Sequence, residues 1–256
     1  MADTVPSLIT RAHDVLVELL TQGPTPSVTA GLHDLVARAA TLGPDGAWLA
    51  IPGHTNLSAV ALAYGRTDQA LHHLDAAVSA GFSDCVGLHA APMRTLHHDP
   101  RFHALYQRIR VTQADLDEFF WLHQEMHAMA REAQDASVDN IGRLDTGVSL
   151  LPQAPLPTRE PDTPGVLGTR IELAALQTAL RQAAVKAEFE RSAGNTSLSL
   201  IDDTWDYTRA RQDAWYADGL DSRRQRAAEA RAFVERPGAG TTLLPCPPLG
   251  SLVYPA

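Results

Sequence analysis

Apolar residues recur every three or four positions along most of the chain, which is the spacing of an α-helix buried on one side. Glycine–proline pairs at Gly23–Pro24 and Gly43–Pro44 interrupt this pattern after the first two stripes, where helices are expected to end. The predicted helical segments are residues 7–21, 27–42, 58–79, 112–150, 169–191 and 198–235. The pattern therefore predicts an all-α fold.

Small residues dominate residues 58–77, where two helices must approach each other closely. Gly65 and Asp68 mark the turn between these helices. The residues at the offsets of the repeat are Ser58, Ala61, Gly65, Ala70, Leu74 and Ala77. Further along, Asp99-Pro100-Arg101-Phe102 precedes another short helical pattern. Residues 56–109 thus resemble the closing unit of a tetratricopeptide array.

The resemblance implies stacked helix pairs that present a groove to a protein or peptide partner. It also implies that Ala61, Ala70 and Ala77 are buried where the two helices meet. Before this unit, the first two predicted helices can form an earlier, degenerate repeat. After it, we expect an antiparallel bundle or hairpin of long helices.

The chain divides by composition into five predicted parts. Five prolines between residues 152 and 164 exclude a regular helix there and predict an extended connector. The expected parts are a tetratricopeptide-like helical domain over 1–110, a long helix over 111–150, a proline-rich connector over 151–166, a helical hairpin over 167–236 and an apolar tail over 237–256.

The tail contains more apolar side chains than a free terminus usually does: Leu243, Leu244, Leu249, Leu252, Val253 and Tyr254. Leaving them in water would be costly, so the tail is expected to dock on the body of the protein or on another subunit. We predict self-association through the carboxyl-terminal half, which would leave the repeat groove free for a different partner.

Composition excludes some classes of function. The formal net charge of −9 argues against a protein that binds the phosphates of nucleic acids. No stretch reaches the apolar length of a membrane span, and the amino terminus lacks a secretory signal, so we expect no membrane partner and a cytoplasmic location. Cys85 and Cys246 form no disulfide framework and have no catalytic signature.

His123 and His127 are the first candidates for chemistry, because residues four apart on a helix share a face. Both imidazoles could contact one metal ion or one substrate, with Glu118 and Glu125 nearby. The order of residues is not that of the zinc-protease motif, and spacing identifies no third ligand. The alternative is that both rings line a helical surface. The paired histidines His72–His73 and His97–His98 are expected to be solvated or to line the groove.

Residues 202–206 supply a second candidate. Asp202, Asp203 and Asp206 form an Asp-Asp-x-x-Asp sequence that resembles the aspartate-rich motif of isoprenoid synthases. That resemblance implies carboxylates that bind magnesium and a diphosphate. No second such motif is present, and the alternative is that the acids favour the positive start of a helix.

The sequence thus favours a protein-binding adaptor or an oligomer-forming assembly protein with no cofactor and no catalytic residues. The alternative is a metal-dependent helical enzyme that uses His123 and His127, or the aspartates of residues 202–206.

Overall fold

The computed structural model of the protein describes residues 3–139, 164–194 and 244–249. These residues are mostly helical, which confirms the predicted all-α class. The described residues also contain two short strands, β1 (Arg110–Val111) and β2 (Leu244–Pro245), which pair antiparallel. None of the described helices has the length and apolarity that crossing a bilayer requires.

Five helices make up the amino-terminal region. Thr4 caps the first of them by accepting a hydrogen bond from the Ser7 N–H, and Thr25 caps the second in the same way at Val28. The helices are α1 (Val5–Gln22), α2 (Pro26–Ala39), the one-turn α3 (Pro44–Ala47), α4 (Ala50–Ala63) and α5 (Thr67–Ser79).

Three helices follow, after a segment over residues 80–99 that contains no α-helix. Asp99 caps the first of them. Thr112 and Asp115 cap the second reciprocally, each accepting a hydrogen bond from the other's N–H. The helices are α6 (Pro100–Arg108), α7 (Gln113–Asp139) and α8 (Pro164–Gly194). α8 begins five residues before the predicted start at Thr169, because Pro164 occupies its first turn.

α4 and α5 pack directly against each other. Gly65 makes the turn between them with a φ of 69°, a conformation that other residues rarely adopt. Ala61, Ala70 and Ala77 are all buried, and their small side chains allow the two helices to approach closely. The predicted burial of these alanines is therefore confirmed.

α8 returns to the amino-terminal region and packs against α1, α4 and α7. Ile171 and Ala175 join the apolar cluster of α1, whereas Leu173 belongs to the larger cluster that contains Phe102 and Phe119. Near the middle of α8, the Thr178 hydroxyl lies 3.0 Å from Nε2 of His13. α8 thus connects elements that are distant in sequence.

The described part of the tail packs on its own chain. Cys246 and Leu249 contact the main core, and the Tyr106 hydroxyl donates a 2.7 Å hydrogen bond to the Pro247 carbonyl oxygen. That hydroxyl also lies 2.7 Å from Nε2 of His89. The remaining apolar tail residues, the predicted helix over residues 198–235, residues 140–150 and most of the connector lie outside the described residues.

Candidate functional site

A cavity of about 630 Å³ lies where α8 crosses the amino-terminal helices. α1, α4, the segment of residues 82–94, α7 and α8 all contribute to its wall. Most of the lining is apolar: Leu16, Leu19, Leu20, Ile51, Pro52, Ala59, Phe82, Leu88, Met93, Met126 and Leu176 are examples. Exposed lining residues, among them Leu20, Pro92 and Arg94, place the mouth of the cavity between α1 and that segment.

A buried hydrogen-bonded cluster forms the polar part of the wall. Nε2 of His123 lies 2.8 Å from Oδ2 of Asp84, and the Thr169 hydroxyl donates to the same oxygen at 2.6 Å. The N–H of Gly87 donates to Oδ1 of Asp84 at 3.1 Å. Asp84, His123 and Thr169 come from an irregular segment, α7 and α8, so the cluster joins three elements.

Asp84 and His123 stabilise each other in their charged forms. Burial alone would lower the pKa of His123, but the Asp84 charge and hydrogen bond outweigh it, and the pKa is raised. Burial would raise the pKa of Asp84, yet His123 together with the Thr169 and Gly87 hydrogen bonds holds that pKa below its usual value. Both shifts favour the imidazolium–carboxylate form of the pair.

Glu172 lies on α8 one turn beyond Thr169 and also lines the cavity. Nδ2 of Asn56 donates a 3.0 Å hydrogen bond to Oε1 of Glu172, and it also donates to the Pro52 carbonyl oxygen at 2.8 Å. Burial, with a smaller contribution from the negative charge of Asp84, raises the pKa of Glu172 to about 7. The pKa of Asp84 therefore lies below its ordinary value and that of Glu172 above its own. Shifted pKa values of this kind are frequent at functional sites.

A close approach of two backbones holds α8 against the Asp84 segment. A Cβ atom on Gly165 would lie 2.4 Å from Oγ of Ser83 and 3.0 Å from its backbone nitrogen. Only glycine fits such a contact. Further along α8, the Arg170 guanidinium donates to the buried Glu118 carboxylate of α7. These contacts fix the face of α8 that carries Thr169 and Glu172.

The structure brings only one of the predicted site residues into the polar cluster. His123 pairs with Asp84, while His127, one turn further, lines the cavity without belonging to that pair. Within residues 3–139, 164–194 and 244–249, no three His, Cys, Asp or Glu side chains are placed to hold a common metal ion. Asp202, Asp203 and Asp206 lie outside the described residues.

Four other histidines form a separate group at the junction of α2, α4 and α5. The ring centres of His33, His54 and His72 lie 5.6 to 5.7 Å from that of His73. His72 is exposed, whereas His73 is buried and is therefore not solvated; that this pair lines a groove stays a prediction. Adjacent helical residues point about 100° apart, which explains the difference. Burial lowers the pKa of His73 to about 4.

The two cysteines lie close together. A hydrogen bond to Cys246, then burial, raises the pKa of the Cys85 thiol far above its ordinary value. Both thiols are free, and Cys85 is fully buried. A thiol in this environment is a poor nucleophile at neutral pH.

Asp84, Asn56, Thr169 and Glu172 are not among the residues that the sequence predicted. One signal was available for α8: Thr169, Glu172 and Leu176 share a helical face, and a carboxylate on an apolar face is unusual. For Asp84 no signal was available, because it lies in an irregular segment 39 residues before its partner.

Comparison with known protein families, with curated proteins and with solved structures finds no match for this chain.

Proposed function

We propose that this protein binds a small, mainly apolar organic molecule in the cavity between α1, α4, α7 and α8. The observation that carries this proposal is the cavity itself, an apolar space with a few buried polar groups at one part of its wall. Sites for small molecules and cofactors have this composition, because apolar walls supply affinity and a few polar groups fix orientation.

The size of the cavity supports a small molecule as the occupant. Its volume of about 630 Å³ falls within the range of roughly 300–1,000 Å³ that is usual for ligand sites. The polar groups converge from different elements, which is expected where a ligand must be held in one orientation. A loosely packed core would not require an ion pair at its wall.

The position of α8 gives a second argument. α8 packs across α1 and α4. It therefore covers a face of these helices along which an extended peptide would have to bind. The space that remains there has the dimensions of a small molecule. This arrangement favours an enclosed ligand over a peptide laid along these helices.

The adaptor and assembly functions predicted from the sequence stay predictions, as does the metal-dependent enzyme. The enzyme hypothesis is tested by metal analysis of the purified protein and of a His123→Ala, His127→Ala double variant. Stoichiometric metal that is lost in the double variant would favour the enzyme.

Fluorescence of Nile red, a neutral apolar dye, tests the proposed function. Ala59 lines the cavity from α4, and a phenylalanine at this position would fill part of it. We expect saturable binding to the unchanged protein and at least tenfold weaker binding to Ala59→Phe. Ala63→Phe is the matched control, because Ala63 lies one turn further on the same helix and is exposed.

Two results would contradict the proposal. One is that Nile red does not bind the unchanged protein. The other is that Ala59→Phe, with its fold verified by circular dichroism, binds the dye as well as Ala63→Phe does.

A further inference from the structure

One of the two carboxylate oxygens of Glu172 accepts no hydrogen bond from the part of the chain that the structure describes. Its hydrogen bond is the one that Oε1 accepts from Asn56, and Oε2 accepts none. The side chain is half-buried and borders the cavity. A carboxylate oxygen in such a place stays unsatisfied unless water or a ligand donates to it, and an unmade hydrogen bond of a charged group is costly.

The charges around Glu172 make this part of the cavity negative. The titratable or charged groups of the lining are Asp84, Arg94, His123, His127 and Glu172. Asp84 and His123 act on the pKa of Glu172 with opposite signs, and the effect of Asp84 is the larger. Arg94 is exposed at the mouth, where its Nε donates to the His89 carbonyl oxygen at 3.2 Å and water screens its charge.

α7 supplies the imidazoles of His123 and His127, and the other described elements around Glu172 supply no cation to the inner wall. α1 contributes Leu16, Leu19 and Leu20 to the cavity, and α4 contributes Asn56 together with apolar or hydroxyl side chains. The nearby Arg170 is paired with Glu118, and His123 is paired with Asp84. Among the described residues, the carboxylate of Glu172 is therefore a charge of the inner wall that no ion pair compensates.

We propose that the ligand of this cavity carries a protonated amine that binds the Glu172 carboxylate, with an aliphatic or aromatic body that fills the apolar space. This inference rests on the proposed function and specifies the class of ligand. The ammonium group donates to Oε2 of Glu172 and compensates its charge. The apolar body contacts Leu16, Ile51 and Met126.

The alternatives differ in their chemistry. A ligand carboxylate would add a second negative charge beside Glu172. A neutral ketone would bind the protonated form of Glu172, and a neutral alcohol can hydrogen-bond to either form. A cation gains the most affinity when Glu172 loses its proton, because it gains a charge–charge attraction in addition to the hydrogen bond.

The sign of the pH dependence follows from this linkage. The pKa of Glu172 in the unliganded protein is about 7, so the carboxylate is mostly protonated at pH 6 and mostly ionised at pH 8. An alkylamine stays protonated over this range, since its pKa is about 10. Amine affinity therefore rises about tenfold from pH 6 to pH 8, the amount by which the ionised fraction of Glu172 rises.

Competition with Nile red measures this dependence. Octylamine and octanol, which have the same chain and differ in the charged group, displace the dye from the unchanged protein at pH 6 and pH 8. We expect octylamine to bind at least tenfold more tightly than octanol at pH 8, and octanol to bind equally at both pH values.

Two variants assign the effect to Glu172. Glu172→Gln keeps the size and the acceptor for Asn56, and is expected to bind octylamine no better than octanol, with no pH dependence. Asp68→Asn removes one charge from an exposed site on α5, outside the cavity lining, where Asp68 is paired with Arg101, and should leave both affinities unchanged.

The outcomes separate this inference from the proposed function. Octanol binding as tightly as octylamine at pH 8, or octylamine binding more tightly at pH 6 than at pH 8, would overturn the amine inference and leave the cavity as an apolar site. Octylamine selectivity that persists in Glu172→Gln would also overturn it. If Ala59→Phe did not weaken the binding of Nile red, that result would instead contradict the proposed function.

Discussion

Glu172 shows how a single side chain connects the stability of this protein to its proposed ligand. It occupies a position on α8 where an apolar residue would stabilise the fold more, since burial makes its charged form unfavourable. Asn56 donates a hydrogen bond to only one of the two carboxylate oxygens of Glu172. Residues that weaken the fold while equipping a cavity with charge are typical of binding sites.

Replacing Glu172 with glutamine is expected to stabilise the protein at alkaline pH. Because the pKa of Glu172 rises on folding from 4.5 to about 7, its contribution to stability is full below pH 4.5 and is lost as the pH rises to about 7. Glutamine carries no such loss. We expect the gain in the free energy of unfolding to be about 1–2 kcal/mol larger at pH 8 than at pH 5, after allowance for solvent in the cavity.

Urea unfolding of both proteins at the two pH values makes this measurement, with Asp68→Asn as the control. A difference that is as large at pH 5 as at pH 8 would show that Glu172 does not titrate in this range.

The two glycines at the start of α8 are expected to respond oppositely to substitution. Gly165→Ala places a methyl group against the backbone of Ser83, so we expect a loss of about 1–3 kcal/mol. At Gly168 the nearest atom to an added Cβ is Cδ of Pro52 at 3.7 Å, an ordinary contact. Gly168→Ala should be neutral or stabilise the helix by up to about 1 kcal/mol.

Thermal unfolding monitored by circular dichroism separates these outcomes. If both variants unfolded at the same temperature, the close contact between α8 and the Asp84 segment would be contradicted.

At the level of elements, the sequence predicts the helices of the described region well. The apolar period locates α1, α2 and the start of α7, because each of these helices has one buried face and a capping threonine in the sequence. α5 was predicted from the repeat spacing of small residues, and no side chain caps its start. The pair β1 and β2 was not predictable, since two-residue strands have no period and their paired residues are 133 and 135 positions apart.

The packing of α4 on α5 gives a prediction at this scale. Ala70 is completely buried between them, so leucine at this position overpacks the contact and should cost about 1–3 kcal/mol. Gln69→Leu is the control, because the neighbouring Gln69 is exposed. An unchanged denaturation midpoint in Ala70→Leu would contradict the close packing of this helix pair.

The candidate site was less predictable than the helices. His123 was identifiable as one of two histidines on a helical face, but its partner Asp84 reaches it only through the path of an irregular segment. Thr169 joins them across 85 residues of sequence. Periodicity describes each element by itself, whereas a site of this kind depends on which faces meet in the folded chain.

For the whole molecule, the sequence predicts self-association through the carboxyl-terminal half. In the described part of the tail, β2 pairs with β1, and Cys246 and Leu249 pack on the chain's own core. Static light scattering at micromolar concentration tests the prediction, with a mass above that of one chain expected for the full protein and a lower mass for a chain ending at Arg236. A monomeric full-length protein would contradict it.

The cavity is the feature of the whole molecule on which the proposed function depends, and the methionines report on it. The sequence has four, of which Met93 and Met126 line the cavity, while Met129 is buried outside its lining. In methyl NMR spectra of the methionine-labelled protein, octanol should shift the signals of Met93 and Met126 in a saturable way and leave those of Met1 and Met129 nearly unchanged. Unmoved Met93 and Met126 signals at saturating octanol, or equal shifts of all four, would contradict a ligand site in this cavity.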